Sequence, residues 1–307
     1  MSAATDCRWD FAAIGTVWRV DTPEPLPAHT RSAVRRLIDS FDAEWSRFRE
    51  DSLISELARG TGSIAAPPDA TAMLDVYAAL SDATAGAVNP LVGDVLAHRG
   101  YDAGYGFVDR GPRPARGDWR ARLRWDERAL TLAHPSIIDV GALGKGRLVD
   151  RVAALLRDCG VDEHVVDASG DLAVRGRRER VALEHPYDAT RAIGVWEVED
   201  AALCASATQR RAWTGLGGEG LHHVLDARTG VPVRTIAATW AVAKTAMIAD
   251  GVATALFFDG GARLAHEWGV QWVRMTTDGR VEWSPGSTSA STSGLTSPRG
   301  AELFIRE

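Results

Sequence analysis

Apolar residues fall at Leu148, Val149, Val152, Leu155 and Leu156, the one-sided period of an amphipathic helix, and Gly160 follows as a C-terminal stop. This predicts a helix over residues 143–158. Comparable patterns predict helices over 30–49, 69–83, 245–258 and 262–268. Short runs rich in β-branched and aromatic residues predict strands over 11–20, 164–166, 172–175, 193–198, 222–225, 237–243 and 270–275, with a closing strand at 302–305. Helices and strands mixed in this way indicate an α+β protein.

Residues 284–300 break the pattern, being built from Ser, Thr, Gly and Pro, and are expected to form a flexible surface loop. No other stretch of that kind divides the chain, so residues 1–307 are expected to form one catalytic unit. With 307 residues, 45% of them hydrophobic, the chain can bury a large core. The formal charge of −6 argues against nonspecific nucleic-acid binding, which needs basic surface. Cys7, Cys159 and Cys204 are odd in number, far apart and without a Cys-x-x-Cys pair, so a reducing compartment is the simpler expectation. No apolar run is long enough to span a membrane, and the N-terminus lacks the basic start and apolar core of an export signal. A cytoplasmic location is expected.

Four stretches carry chemistry. In Met247-Ile-Ala-Asp-Gly-Val-Ala-Thr254, Asp250 and Thr254 stand four apart on one helical face, two hard oxygen donors suited to a cation such as Mg²⁺. Asp139-Val-Gly-Ala-Leu-Gly-Lys-Gly146 is a glycine-rich turn entering a helix. It is no Walker A loop, because Gly146 follows Lys145 where Ser or Thr is required and Asp139 replaces the first glycine. It either binds an anion through backbone N–H groups of Gly141 and Gly146 together with Lys145, or simply connects strand to helix. Val165-Val-Asp-Ala-Ser-Gly-Asp171 has the form of strand, turn, strand, with Gly170 able to take positive φ and Asp171 able to bond backbone or a sugar hydroxyl. His222-His-Val-Leu-Asp-Ala-Arg-Thr-Gly230 offers an imidazole and a turn in which Asp226 folds onto its own backbone.

Taken in order, these stretches resemble the ApbE family of FAD:protein FMN transferases. Its members typically read Asp-Leu-Gly-Gly-Ile-Ala-Lys-Gly, then Asn-Ala-Gly-Gly-Asp, Ser-His-Ile-Leu-Asp-Pro-Arg-Thr-Gly and Ala-Asp-Ala-Leu-Ala-Thr-Ala. Weaker likenesses at Ile14-Gly-Thr-Val-Trp18, Ser46-Arg-Phe-Arg-Glu-Asp-Ser52 and Thr84-Ala-Gly-Ala-Val-Asn-Pro-Leu91 extend the resemblance over about residues 11–270. It implies a T-fold-like arrangement of helices and antiparallel sheets with a flavin cleft between two lobes. It also implies FAD as substrate, Mg²⁺ as cofactor, an acceptor flavoprotein bearing a target Thr or Ser, and release of AMP.

Carried over residue by residue, the resemblance implies metal ligation by Asp250, Thr254 and the Gly144 carbonyl. It implies phosphate charge from Lys145, a general base in His223, and flavin contacts from Gly141, Lys145, Gly146, Asp171, Ser206, Arg228 and Thr229. This chain departs from the pattern at Gly144, Asp167 and Ser169, which replace alanine, asparagine and glycine. It departs again at Cys204-Ala-Ser-Ala-Thr-Gln209, which keeps Ser206 but loses a glycine and an acidic-aromatic pair. Two other activities share these residues, FAD hydrolysis to FMN and AMP, and FAD binding without transfer.

Overall fold

In the computed structural model, which describes residues 7–210, 212–285 and 300–304, the predicted strand over 11–20 is a hairpin. Strand β1 (Cys7–Ala13) pairs with β2 (Thr16–Thr22) through Ile14 and Gly15, whose φ values of 43° and 70° give the tight turn that matches strand twist. Isoleucine holds this left-handed backbone at a cost of about 1–2 kcal/mol. An alternating pattern hides the turn because both arms keep the same period.

Six more strands complete an eight-stranded antiparallel sheet: β3 (His164–Asp167), β4 (Asp171–Arg175), β5 (Ala202–Ala207), β6 (Ile236–Ala243), β7 (Gln271–Thr276) and β8 (Val281–Trp283). Their order across the sheet is their order along the chain. The β5 segment, Ala-Leu-Cys-Ala-Ser-Ala, has low strand propensity and escapes prediction. Its small side chains let a helix lie close against it.

Five helices bear on the site: α1 (Ala28–Trp45), α2 (Ala70–Ala83), α3 (Gly144–Asp158), α4 (Ala246–Ala255) and α5 (Gly261–Glu267). The first ends four residues earlier than the periodicity predicts, and the chain then turns Arg47 inward. In α3, Leu148, Val149, Val152 and Leu156 are buried, and Gly160 (φ 80°) ends the helix as expected. Asp69 precedes α2 without capping it; its carboxylate receives Arg147 and Arg151 of α3 at 2.8 and 2.7 Å.

Helices α3 and α4 cap each other. The Asp150 carboxylate of α3 accepts the N–H groups of Ala246 and Met247 at the start of α4, at 2.7 and 2.9 Å. Asp250 of α4 in return accepts the Gly146 N–H in the first turn of α3 at 2.9 Å. Each satisfies donors that a helix start leaves orphaned. The pair touches so closely that a Cβ on Gly146 would stand 2.3 Å from the Ala246 carbonyl oxygen. Gly146→Ala is therefore expected to destabilise the protein by about 1–3 kcal/mol. A melting temperature equal to that of the parent would show that the helices have room to separate.

The helices cover one face of the sheet, burying Trp18, Val20, Val166, Ala173 and Cys204. A three-stranded sheet (Arg178–His185, Asp188–Glu199 and Ala301–Leu303) covers the other, where Leu183, Trp196 and Val198 meet Leu172, Val174, Leu203 and Trp240. Its outer face is charged, with Arg178 paired to Glu199 at 2.7 Å, which masks most of it from sequence prediction. The closing strand lies at Ala301–Leu303, one residue ahead of its predicted start, and most of the loop expected over 284–300 falls outside the described residues. Among the described residues no helix is long and apolar enough to cross a membrane.

Candidate active site

The glycine-rich turn is held from three sides. Asp139 donates its N–H to the Pro90 carbonyl at 2.7 Å, accepts the Gly141 N–H on one carboxylate oxygen at 2.7 Å, and pairs the other with the Arg47 Nε. The Tyr77 hydroxyl donates to the Asp139 carbonyl at 2.9 Å and accepts the Ala142 N–H at 3.2 Å. Complete burial raises the Tyr77 pKa well above that of an ordinary phenol, so the hydroxyl keeps the proton it donates.

Asp250 and Thr254 project from α4 toward this turn. Asp250 is buried, and Thr254 Oγ1 donates to the Ala142 carbonyl at 3.2 Å. Gly144, the residue expected to offer a metal ligand, is the first residue of α3, where its carbonyl accepts the helical N–H four residues on. The carbonyl facing Thr254 belongs to Ala142, two positions upstream. Carboxylate, hydroxyl and carbonyl are all hard oxygens, so the set fits a small divalent cation. Among the described residues no three His, Cys, Asp or Glu side chains gather as a metal site. One carboxylate with neutral oxygens suits an ion that keeps several waters.

Lys145 Nζ lies 2.9 Å from the Asp171 carboxylate and donates to the Ala168 carbonyl at 3.2 Å. Asp171 is 1% exposed and Lys145 25%. Residues expected to serve phosphate and sugar separately thus form one ion pair. Beneath it, Ser169 and Gly170 make the β3–β4 turn with φ values of 57° and 102°. Ser169 occupies a glycine-like conformation and ties its hydroxyl to the Val17 carbonyl at 2.8 Å, while Asp167 accepts the Gly170 N–H at 2.8 Å. Ser206 is half-buried on β5, next to Ala205, whose N–H donates to the Gly170 carbonyl.

The histidine pair divides its labour. His222 is buried and bonds the Val233 carbonyl through Nε2 at 2.8 Å; desolvation lowers its pKa, so it stays neutral. His223 is half-buried in the break between the short strands Gly220–His222 and Leu225–Asp226, which the pattern predicts as one. Asp226 accepts the Arg228 N–H at 2.9 Å and pairs with the Arg228 guanidinium at 2.6 Å. Thr229 closes the same turn, so the polar groups of Arg228 and Thr229 are engaged locally. Backbone bonds link this turn to the glycine-rich turn: Ala227 donates to Ala87, and Pro90 accepts from Asp139.

A cluster that sequence periodicity does not reveal lies beside Arg47. The guanidinium sits over the rings of Phe48 and Tyr101, 4.2 and 4.9 Å from their centroids, and donates to the Tyr101 carbonyl. Tyr105 stacks on Phe48, and Trp213 on Tyr101. Tyr105 and Phe107 are 48% and 45% exposed at φ values of 50° and 49°, held by Asp102, which accepts the N–H groups of Gly104 and Gly106. Exposed aromatics on strained backbone are a recurrent mark of ligand sites. The available signal is three aromatics among glycines in Tyr101-Asp-Ala-Gly-Tyr-Gly-Phe107.

The family model described as the ApbE family matches residues 14–273. The chain belongs to the ApbE family. A Rhodobacter capsulatus protein named FAD:protein FMN transferase is 26% identical across 92% of this chain, which spans 58% of that relative's length. A Salmonella typhimurium protein of the same name is 26% identical, over 80% of this chain and 77% of its own. Among solved structures, the ApbE protein of Thermotoga maritima superposes with a TM-score of 0.80 at 20% identity, covering 91% of this chain and 97% of that one. The Pseudomonas stutzeri flavinyl transferase ApbE gives 0.76 at 22% identity, covering 94% and 97%. The α+β, ApbE-like architecture expected from the sequence is therefore the observed one. In this ApbE chain, serine stands at a left-handed turn position where the family pattern has glycine, and the hydroxyl bond to Val17 accounts for its tolerance.

Proposed function

We propose that this ApbE chain is a Mg²⁺-dependent FAD:protein FMN transferase that attaches FMN to a Thr or Ser hydroxyl of an acceptor flavoprotein and releases AMP. The observation that carries the reading is that α4 brings Asp250 to the Gly146 N–H in the first turn of α3 and Thr254 to the Ala142 carbonyl just ahead of it, in the same segment as Lys145. The names of the Rhodobacter and Salmonella relatives support its flavin-transfer part.

Mg²⁺, held by Asp250, Thr254 and the Ala142 carbonyl, would supply charge neutralisation for the pyrophosphate. Lys145, steered by Asp171, places a cation beside the start of α3, where backbone N–H groups also favour anions. The acceptor oxygen forms a bond to the FMN phosphorus as the bond to the AMP oxygen breaks. His223 is the residue assigned to take the hydroxyl proton, and AMP leaves with the electron pair.

The exposed aromatic cluster offers a stacking wall for the isoalloxazine ring. Tyr105→Ala/Phe107→Ala is expected to weaken FAD binding by about tenfold and to leave ADP binding unchanged. Flavin fluorescence quenching and ADP competition report the two, and equal losses for both ligands would place the ring elsewhere.

The deciding experiment incubates the protein with FAD and Mg²⁺, with and without an acceptor flavoprotein, and follows AMP, FMN and acceptor mass. An acceptor gain matching FMN, in step with AMP, is the expected result. AMP with free FMN would instead identify a hydrolase, and intact bound FAD a binding protein.

A further inference from the structure

The chain carries a net charge of −6, yet residues 110–128 hold seven arginines against three acids. Part of that stretch lines an open cavity of about 600 Å³, walled by Asp94, Arg113, Arg116, Arg122, His134 and Pro135 among others. Its volume lies within the range of ligand-sized pockets and far exceeds what a single inorganic anion fills. Three side chains are already aimed by their partners. Arg113 donates to the Asp94 carbonyl at 2.9 Å, Arg122 is braced by Asp118 at 2.8 Å, and the Asp94 carboxylate accepts the Ile137 N–H at 3.0 Å. The Arg116 side chain is exposed, while its backbone carbonyl is fixed by Asn89.

The cavity adjoins the proposed reaction site. Ala115 donates to the carbonyl of Ala227, inside the turn that follows His223, at 2.7 Å. The Arg113 carbonyl stands so close to Gly230 that a Cβ there would come within 2.1 Å. On the other side, Asn89 precedes Pro90, whose carbonyl holds Asp139 of the glycine-rich turn. Backbone contacts thus join the cavity wall to the turn that follows His223 and to the glycine-rich turn.

We propose that this cavity docks an acidic segment of the acceptor protein, next to the residue that receives FMN. Guanidinium forks match carboxylates in a paired geometry that lysine does not offer, and this gives selectivity for Asp and Glu. The surrounding negative charge disfavours a long polyanion such as a nucleic acid and leaves a short acidic stretch as the fitting occupant. The proposal rests on the transferase reading, because it needs a protein acceptor.

The test uses the full chain and two fluorescein-labelled peptides, one with Asp and Glu around a single threonine and one with Asn and Gln in their place. Fluorescence anisotropy should show the acidic peptide binding at least about tenfold tighter, an advantage lost at high salt. Arg113→Gln/Arg116→Gln should abolish the preference, whereas Arg124→Gln/Arg128→Gln, an equal charge change outside the cavity, should keep it. FAD binding should be the same in all three proteins, which also confirms folding. Equal binding of the two peptides, retention of the preference in the cavity variant, or tighter binding of a single-stranded oligonucleotide would each overturn the proposal. Failure of the transferase reading shows separately, as a parent protein that neither binds FAD nor releases AMP.

Discussion

Asp250→Asn is expected to lower metal-dependent FMN transfer on the order of 100-fold or more, while leaving most of the fold intact. The asparagine amide oxygen can still accept the Gly146 N–H that Asp250 accepts at 2.9 Å, so the contact between α3 and α4 survives. What disappears is the negative charge that would hold a divalent cation against the pyrophosphate, worth several kcal/mol in the transition state. Transfer is followed by acceptor mass and AMP, and Mg²⁺ affinity by calorimetry. A variant with parental turnover at low Mg²⁺ would remove Asp250 from the metal site.

Lys145→Met is expected to cost both stability and transfer. It strands the Asp171 carboxylate, 1% exposed, without the ammonium at 2.9 Å. Removing one partner of such a pair costs about 3 kcal/mol, the lower end of the usual range, because Lys145 is itself partly in water. The melting temperature should fall by roughly 5 °C or more. Adding Asp171→Asn should restore much of the stability without restoring transfer. Set against Asp171→Asn alone, that divergence separates the structural part of Lys145 from its role beside the phosphates; recovery of both together would assign it a structural part alone.

The elements legible in the sequence are those whose periods are undisturbed. Helices α3 and α4 and strands β6 and β7 lie close to their predicted spans. Strand β5 is hidden because alanine and serine carry little strand preference, although their smallness is what admits α4. At the site, the spacing of Asp250 and Thr254 fixes their common face. Which carbonyl they meet depends on where α3 begins, and a run of glycines does not mark that start. Nor does Asp150 announce that it caps α4, since its partners lie almost a hundred residues downstream. Arg47 is equally silent: its burial against Asp139 and Phe48 follows from the early end of α1, which periodicity overruns.

Strands β2 and β3 are neighbours in the sheet, with Arg19, Val20 and Asp21 facing Asp167, Val166 and Val165, yet residues 23–163 lie between them. That insertion carries α1, α2, α3 and the whole glycine-rich turn. During synthesis the N-terminal hairpin must wait, with one edge unpaired, until the entire insertion has emerged and condensed. Closing so long a loop adds little to the equilibrium entropy cost but delays the pairing of β2 with β3. Refolding should therefore be slow and the waiting edge prone to pairing with other chains. The glycine-rich turn lies inside the insertion that must condense before that edge can be sealed.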